Sequence, residues 1–179
     1  MKTKINELEI IKYIQPRADK KLKKKFNINQ YKKFNKNIIG ICDDTAVIPS
    51  ANFDADCKLL ITTDTLIECV HFNRFYTPDY LLGKKAALVN FSDILSTGGV
   101  PVFAFLNLAI TADFDYKKFI DGFIEVCQNY SVKLLGGDTV LSKKDNCISV
   151  TVIGVAKKIL LRSAAGPGQL ICCTGDLGL

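Results

Sequence analysis

Aspartates interrupt apolar stretches at four places in this chain: Asp43-Asp44 within IIGICDDTAVI, Asp64 within KLLITTDTL, Asp93 within VNFSDIL, and Asp138 directly after LLGG. A carboxylate set into an apolar strand is costly to bury without a partner. Any one of these could be a turn or helix cap. Four such sites in one domain point instead to a shared partner that offsets their repulsion. A hard cation with oxygen ligands meets that need, and magnesium suits best, because it combines one or two carboxylates with phosphate oxygens and water. Gly136-Gly137, just before Asp138, allows backbone to approach a phosphate closely. Arg162, in LLRSAAGPG, either pairs with a phosphate or makes a surface salt bridge, and spacing does not separate the two. His71 is the single histidine and is either a general base or a structural residue; no Ser-His-Asp or Cys-His arrangement can be built from it. There is neither a P-loop nor the protein-kinase signature set, so a nucleotide site here belongs to another architecture.

The elements that must position these residues follow from periodicity. Ile5, Leu8, Ile11 and Ile14 predict a short opening helix that Pro16 ends, followed by a polar connection over 17–37. Strands are predicted over 38–48, 58–66, 102–110, 132–140, 147–156 and 169–175. Helices are predicted over 79–97, stopped by Gly98-Gly99, and over 116–130. In the first of these, Ala86, Asn90, Asp93 and Thr97 make a stripe of small and polar groups. The order α-β-β-α-β-α-β-β-β argues for an α/β chain of the α+β type, a mixed sheet with helices packed on one face. Two regions are expected: an opening helix and basic linker over 1–37, and a domain over 38–179.

At 179 residues and 48% hydrophobic content, one domain with a real core is expected. No apolar run reaches the length of a membrane span, and the N-terminus lacks a signal-peptide core, so a cytoplasmic protein is expected. Seven cysteines with no C-x-x-C pair read as reduced, mostly buried thiols. The net charge of +6 is unevenly spread: residues 1–36 hold 12 of the 24 basic residues and three of the 18 acidic ones, giving +9 there and −3 beyond. The run Lys20-Lys21-Leu22-Lys23-Lys24-Lys25 has no interleaved aromatics and reads as a solvated connector, so no nucleic-acid partner is expected.

Taken in order, GICDDTAVI, LLITTDTLIECVHF, KKAALVNFSDILSTGG, LLGGDT and LRSAAGPGQLICCTGDLG resemble the N-terminal half of the thiamine-monophosphate kinases, within the AIR-synthase-like superfamily. The stretch TTDTLIECVHF separates this resemblance from the related synthetases. It implies transfer of the ATP γ-phosphoryl group onto thiamine monophosphate, with magnesium, in a homodimer. It further implies magnesium ligation by Asp44, Thr62, Thr63, Asp64, Asp93 and Asp138, ATP contacts at Gly137, Asp138 and Arg162, and a substrate contact at His71. The family's second domain would be absent, and the isolated chain is then expected to be inactive or weakly active. The alternative is a truncated, non-catalytic module for nucleotide binding or dimerisation. Cys42 and Cys69 stand where the family usually has glycine; a positive φ at either would be strained.

Overall fold

A computed structural model describes residues 7–18 and 57–172. Helix α1 is Glu7–Ala18, strand β1 Lys58–Ile67, helix α2 Asp79–Ser96, strand β2 Val100–Ile110, helix α3 Tyr116–Tyr130, strand β3 Lys133–Leu141 and strand β4 Cys147–Ala156. The sheet order is β1-β4-β2-β3. β4 runs antiparallel to both β1 and β2, while β2 and β3 are parallel. The sheet is therefore mixed, as predicted. The β2–β3 crossover is the helix α3, which is what a parallel pair requires.

Alternation decides which side of each strand meets the helices. Leu66, Leu106, Leu108, Ile148, Val150 and Val152 join the core with Phe91 of α2 and Phe119 and Phe123 of α3. α2 and α3 cover this one face. They touch backbone to backbone: a Cβ on Gly83 would sit inside the carbonyl of Phe119, and one on Gly122 inside that of Tyr80. Glycine at both positions lets two helices approach closer than side chains would permit. The other face carries a smaller cluster of Phe103, Leu135 and Val155, then opens onto exposed Leu59, Ile61, Ile67 and Val140.

α2 ends as predicted: the Gly98 N–H donates to the Leu95 carbonyl at 2.9 Å, and that of Gly99 to Ile94 at 2.9 Å. α3 starts on Asp115, whose carboxylate accepts from the Lys118 N–H at 3.1 Å. Three expectations need correction. α1 does not end at Pro16 but runs to Ala18. Arg17 holds the last turn by donating to the Tyr13 carbonyl at 3.0 Å and pairing with Asp121 at 3.0 Å, and Ala18 is buried. These tertiary contacts outweigh the one hydrogen bond proline removes. Residues 169–172 are not a strand; Leu170 and Ile171 are fully exposed, with no paired neighbour among the described residues. Of the five cysteines among the described residues, one, Cys127, is buried, whereas Cys69 and Cys172 are exposed. The predicted strand over 38–48 and the lysine run lie outside the described residues.

Candidate functional site

Strand β1 and helix α2 are joined by two polar contacts that gather three of the predicted residues. The Thr62 hydroxyl donates to Asp93 Oδ2 at 2.7 Å. The Asp64 N–H donates to Asn90 Oδ1 at 3.1 Å, and Asn90 Nδ2 donates to the Ala86 carbonyl at 3.2 Å. Asn90 is 1% exposed, so its amide is fixed on both sides. Thr62 and Asp64 are two apart on a strand and share the helix-facing side; both are half-buried, and Asp93 is exposed beside them. Asn90 was read from the sequence as part of a small, polar stripe. Its role in holding the Asp64 backbone was not.

The same alternation sends Thr63 to the opposite face, where its hydroxyl oxygen accepts from Thr151 at 3.1 Å. Asp138 also lies on that opposite face, because the register places it beside exposed Asn107, between the core residues Leu106 and Leu108. Its Oδ1 accepts from the Thr139 N–H at 2.8 Å. β1 and β3 form the two edges of the described sheet, three strand spacings apart, or about 14 Å. Within one chain Asp138 therefore does not converge with Asp64 and Asp93. Among the described residues, no three His, Cys, Asp or Glu side chains gather as a metal cluster. Thr62, Asp64 and Asp93 nonetheless suit magnesium as a partial site, since that ion takes one or two carboxylates and completes its shell with phosphate and water.

Gly137 has φ 147°, and a Cβ there would collide with the backbone of Leu106. Glycine is required there for the strands to approach each other, beside the exposed Asp138. Arg162 opens a single 3₁₀ turn, Arg162–Ala164. Its side chain, like Asp44 and Cys42, lies outside what is described.

His71 follows β1 in a tight turn. Val70 and His71 both donate from their N–H to the Ile67 carbonyl, at 3.2 and 2.8 Å. The ring folds back so that Nδ1 accepts the Ile67 N–H at 3.1 Å. Cys69, within this turn, has φ 62°, the left-handed conformation foreseen for a family glycine position. Lys85 of α2 donates to the His71 carbonyl at 2.6 Å. A neighbouring cluster is structural: Arg74 pairs with Asp79 at 2.9 Å and Asp113 at 3.0 Å. Hydrogen bonding to Asp79 raises the pKa of the guanidinium, and the Thr111 hydrogen bond and then Arg74 lower that of Asp113.

A mixed four-stranded sheet covered on one face is the fold of a known domain. The family described as "AIR synthase related protein, N-terminal domain" matches residues 42–156. The chain belongs to this family. Among curated relatives, the thiamine-monophosphate kinase of Bacillus subtilis (strain 168) is 34% identical over 145 residues, which is 78% of this chain and 44% of the relative. The thiamine-monophosphate kinase of Buchnera aphidicola subsp. Acyrthosiphon pisum is 38% identical over 163 residues, 88% of this chain and 48% of the relative. A solved structure of the kinase from Aquifex aeolicus matches with a TM-score of 0.55 and 34% identity, over 60% of this chain and 37% of that one. Another, described as AaThiL complexed with AMPPCP and TMP, matches with a TM-score of 0.53 and 33% identity, over 60% of this chain and 35% of that one. The chain thus spans less than half the length of these relatives.

Proposed function

We propose that this chain is the ATP- and magnesium-handling part of a thiamine-monophosphate kinase. The reaction transfers the γ-phosphoryl group of ATP to the phosphate of thiamine monophosphate, giving thiamine diphosphate and ADP. The observation that carries the reading is the joining of Thr62, Asp64 and Asp93 by α2, in a chain whose relatives carry that name. Magnesium, when bound, would neutralise phosphate charge and bring donor and acceptor together. The chain's own contribution is positional. Thr62, Asp64 and Asp93 present oxygens on one side of β1, and Asn90 fixes the strand that carries two of them. The acceptor phosphate is already an anion, so no general base is needed, and His71 serves as a substrate contact. Asp44 and Arg162 would add metal and ATP contacts; Thr63 and Asp138, on the opposite face, and Gly137, on the far edge strand, do not meet this group within one chain and are contacts that the family resemblance implies.

The open sheet face supports the homodimer. Leu59 and Ile61 are 51% and 69% exposed, and Val140 at the far edge is 50% exposed. An apolar sheet face of this kind is suited to self-association. The same face favours the second reading, a module that binds nucleotide and dimerises without turnover. No helix among the described residues is long and apolar enough to cross a membrane. We place the protein in the cytoplasm.

The test is titration of ATP into the chain with and without magnesium. Asp64→Asn should weaken magnesium-dependent binding more than tenfold, about 1.4 kcal/mol. An unchanged titration would refute the assignment. Thiamine diphosphate formation from thiamine monophosphate then separates the kinase from the non-catalytic module.

A further inference from the structure

Two polar residues are buried among the described residues, Asn90 and Asn146. Asn90 fixes the Asp64 backbone. Asn146, just before β4, has no such role assigned. A buried amide needs its donors and its acceptor paired. Asn146 Oδ1 accepts the Thr111 N–H at 2.7 Å and the Thr111 hydroxyl at 3.2 Å. Its Nδ2 donates to Glu68 Oε2 at 2.6 Å, and its backbone N–H donates to the same oxygen at 3.1 Å. Its carbonyl accepts the Glu68 N–H at 2.9 Å, one residue beyond the Ile67–Cys147 pair that ends the β1–β4 ladder. One side chain thus ties the end of β1 to the end of β2 at the start of β4.

Glu68 stands between that ladder and the turn that bears His71. Ile67, its neighbour, makes three bonds of the turn: its carbonyl accepts from Val70 and His71, and its N–H donates to His71 Nδ1. The direction of the ring therefore follows the peptide groups of Ile67, and the Glu68 bonds hold the next residue along. The far end of the segment is held independently. Arg74 pairs with the Asp113 carboxylate and donates to the Asp113 carbonyl at 2.9 Å, and Asp79 accepts the Asp115 N–H at 3.0 Å. Both anchors lie on residues 111–115 after β2, so the segment 68–79 is fastened to one loop at each end.

We propose that Glu68 and Asn146 are positioning residues: their paired bonds fix the backbone from which the His71 ring is aimed, and with it the contact that His71 makes to substrate. This rests on the reading of His71 as a substrate contact. Apolar residues could close the same corner without burying a carboxylate and an amide that must be paired there. A fully paired polar network adds direction, which apolar packing lacks. Site side chains need placement to within about 0.5 Å, and a ring carried on a short turn loses that when one peptide rotates.

The Ile67–His71 bond can be read directly, because the ¹⁵N nuclei on either side of an N–H···N hydrogen bond share a scalar coupling. His71 is the chain's only histidine, so the imidazole signals are its own. At mildly alkaline pH the coupling should be present in the parent and absent in Glu68→Ala. It should return in Glu68→Gln, whose amide oxygen still accepts both Asn146 donors. Hydrogen exchange at the Ile67 N–H should speed up more than tenfold in Glu68→Ala. Asn90→Ala removes the other buried asparagine and should keep the coupling, which separates positioning from general loss of stability. Thiamine monophosphate titrated into each chain should show a midpoint raised more than tenfold in Glu68→Ala and restored in Glu68→Gln. A coupling that survives Glu68→Ala, a coupling lost equally in Asn90→Ala, or a midpoint unmoved by Glu68→Ala would overturn the proposal. The kinase reading fails separately, through the Asp64→Asn titration with magnesium–ATP.

Discussion

Replacing Cys69 by glycine should stabilise the protein. Cys69 sits at φ 62°, where a residue with a Cβ pays about 1–2 kcal/mol against glycine. Glycine gives back part of this, about 0.4–1 kcal/mol, through the greater freedom of its unfolded chain. The Cys69 side chain is exposed, so little packing is lost with the thiol. The turn is otherwise fixed by backbone bonds that glycine keeps, including Cys69 N–H to the Phe72 carbonyl at 2.7 Å. The net gain is about 0.5–1 kcal/mol, which for a chain of this length raises the melting temperature by about 1–4 °C. Thermal denaturation followed by circular dichroism measures it. Cys69→Ala is the control, because it removes the thiol but keeps the Cβ, and it should melt with the parent. If Cys69→Gly melts at or below the parent while Cys69→Ala is unchanged, the left-handed strain argument is wrong.

Other consequences can be checked on the same chain. Asn90→Ala removes the acceptor of the Asp64 N–H and should cost about 1–3 kcal/mol in denaturant unfolding, with weaker magnesium–ATP binding; a variant as stable as the parent would show that the contact is not made. Gly83→Ala forces a Cβ into the Phe119 carbonyl and should cost about 1–3 kcal/mol or more, whereas an unaltered melting curve would mean that α2 and α3 are further apart than described. Asp113 has a pKa below its ordinary value of 3.8, so its contribution to stability is present above that value and is lost as pH falls through the lowered one. Asp113→Asn should therefore flatten the acid limb of the stability profile, and an identical limb would count against the Arg74 cluster. A thiol reagent should label Cys69 and Cys172 quickly and leave Cys127 intact until unfolding, because Cys127 is buried and burial pushes its pKa up.

Much of the chain could be read from local pattern. The spacing of apolar residues gave α3 at 116–130 and α2 to within a residue, because an amphipathic period is a property of the segment itself. β-branched runs marked β1, β2, β3 and β4 for the same reason. The acidic residues were visible because a carboxylate among apolar neighbours is conspicuous, and Cys69 because it stands where glycine was expected. Local pattern failed where a distant partner decides. α1 continues past Pro16 because Arg17 reaches Asp121, more than a hundred residues away. The run beginning at Gln169 has strand composition, yet its described part has no neighbour to pair with, and strand geometry persists only through pairing.

The site divides along the same line. Sequence supplied the ligand types and the Thr62-Thr63-Asp64 order, and a strand's period of two already implied that Thr63 would face away from its neighbours. That Asp138 joins Thr63 on the open face depended on the strand order β1-β4-β2-β3 and on the register of β3 against β2. Neither is encoded in any single segment, because pairing energy is shared between strands distant in sequence. The contacts from Asn90 to Asp64 and from Lys85 to His71 likewise arose only when α2 was laid along β1. Residue chemistry was thus local information, while the grouping of those residues on one face or the other was settled by packing.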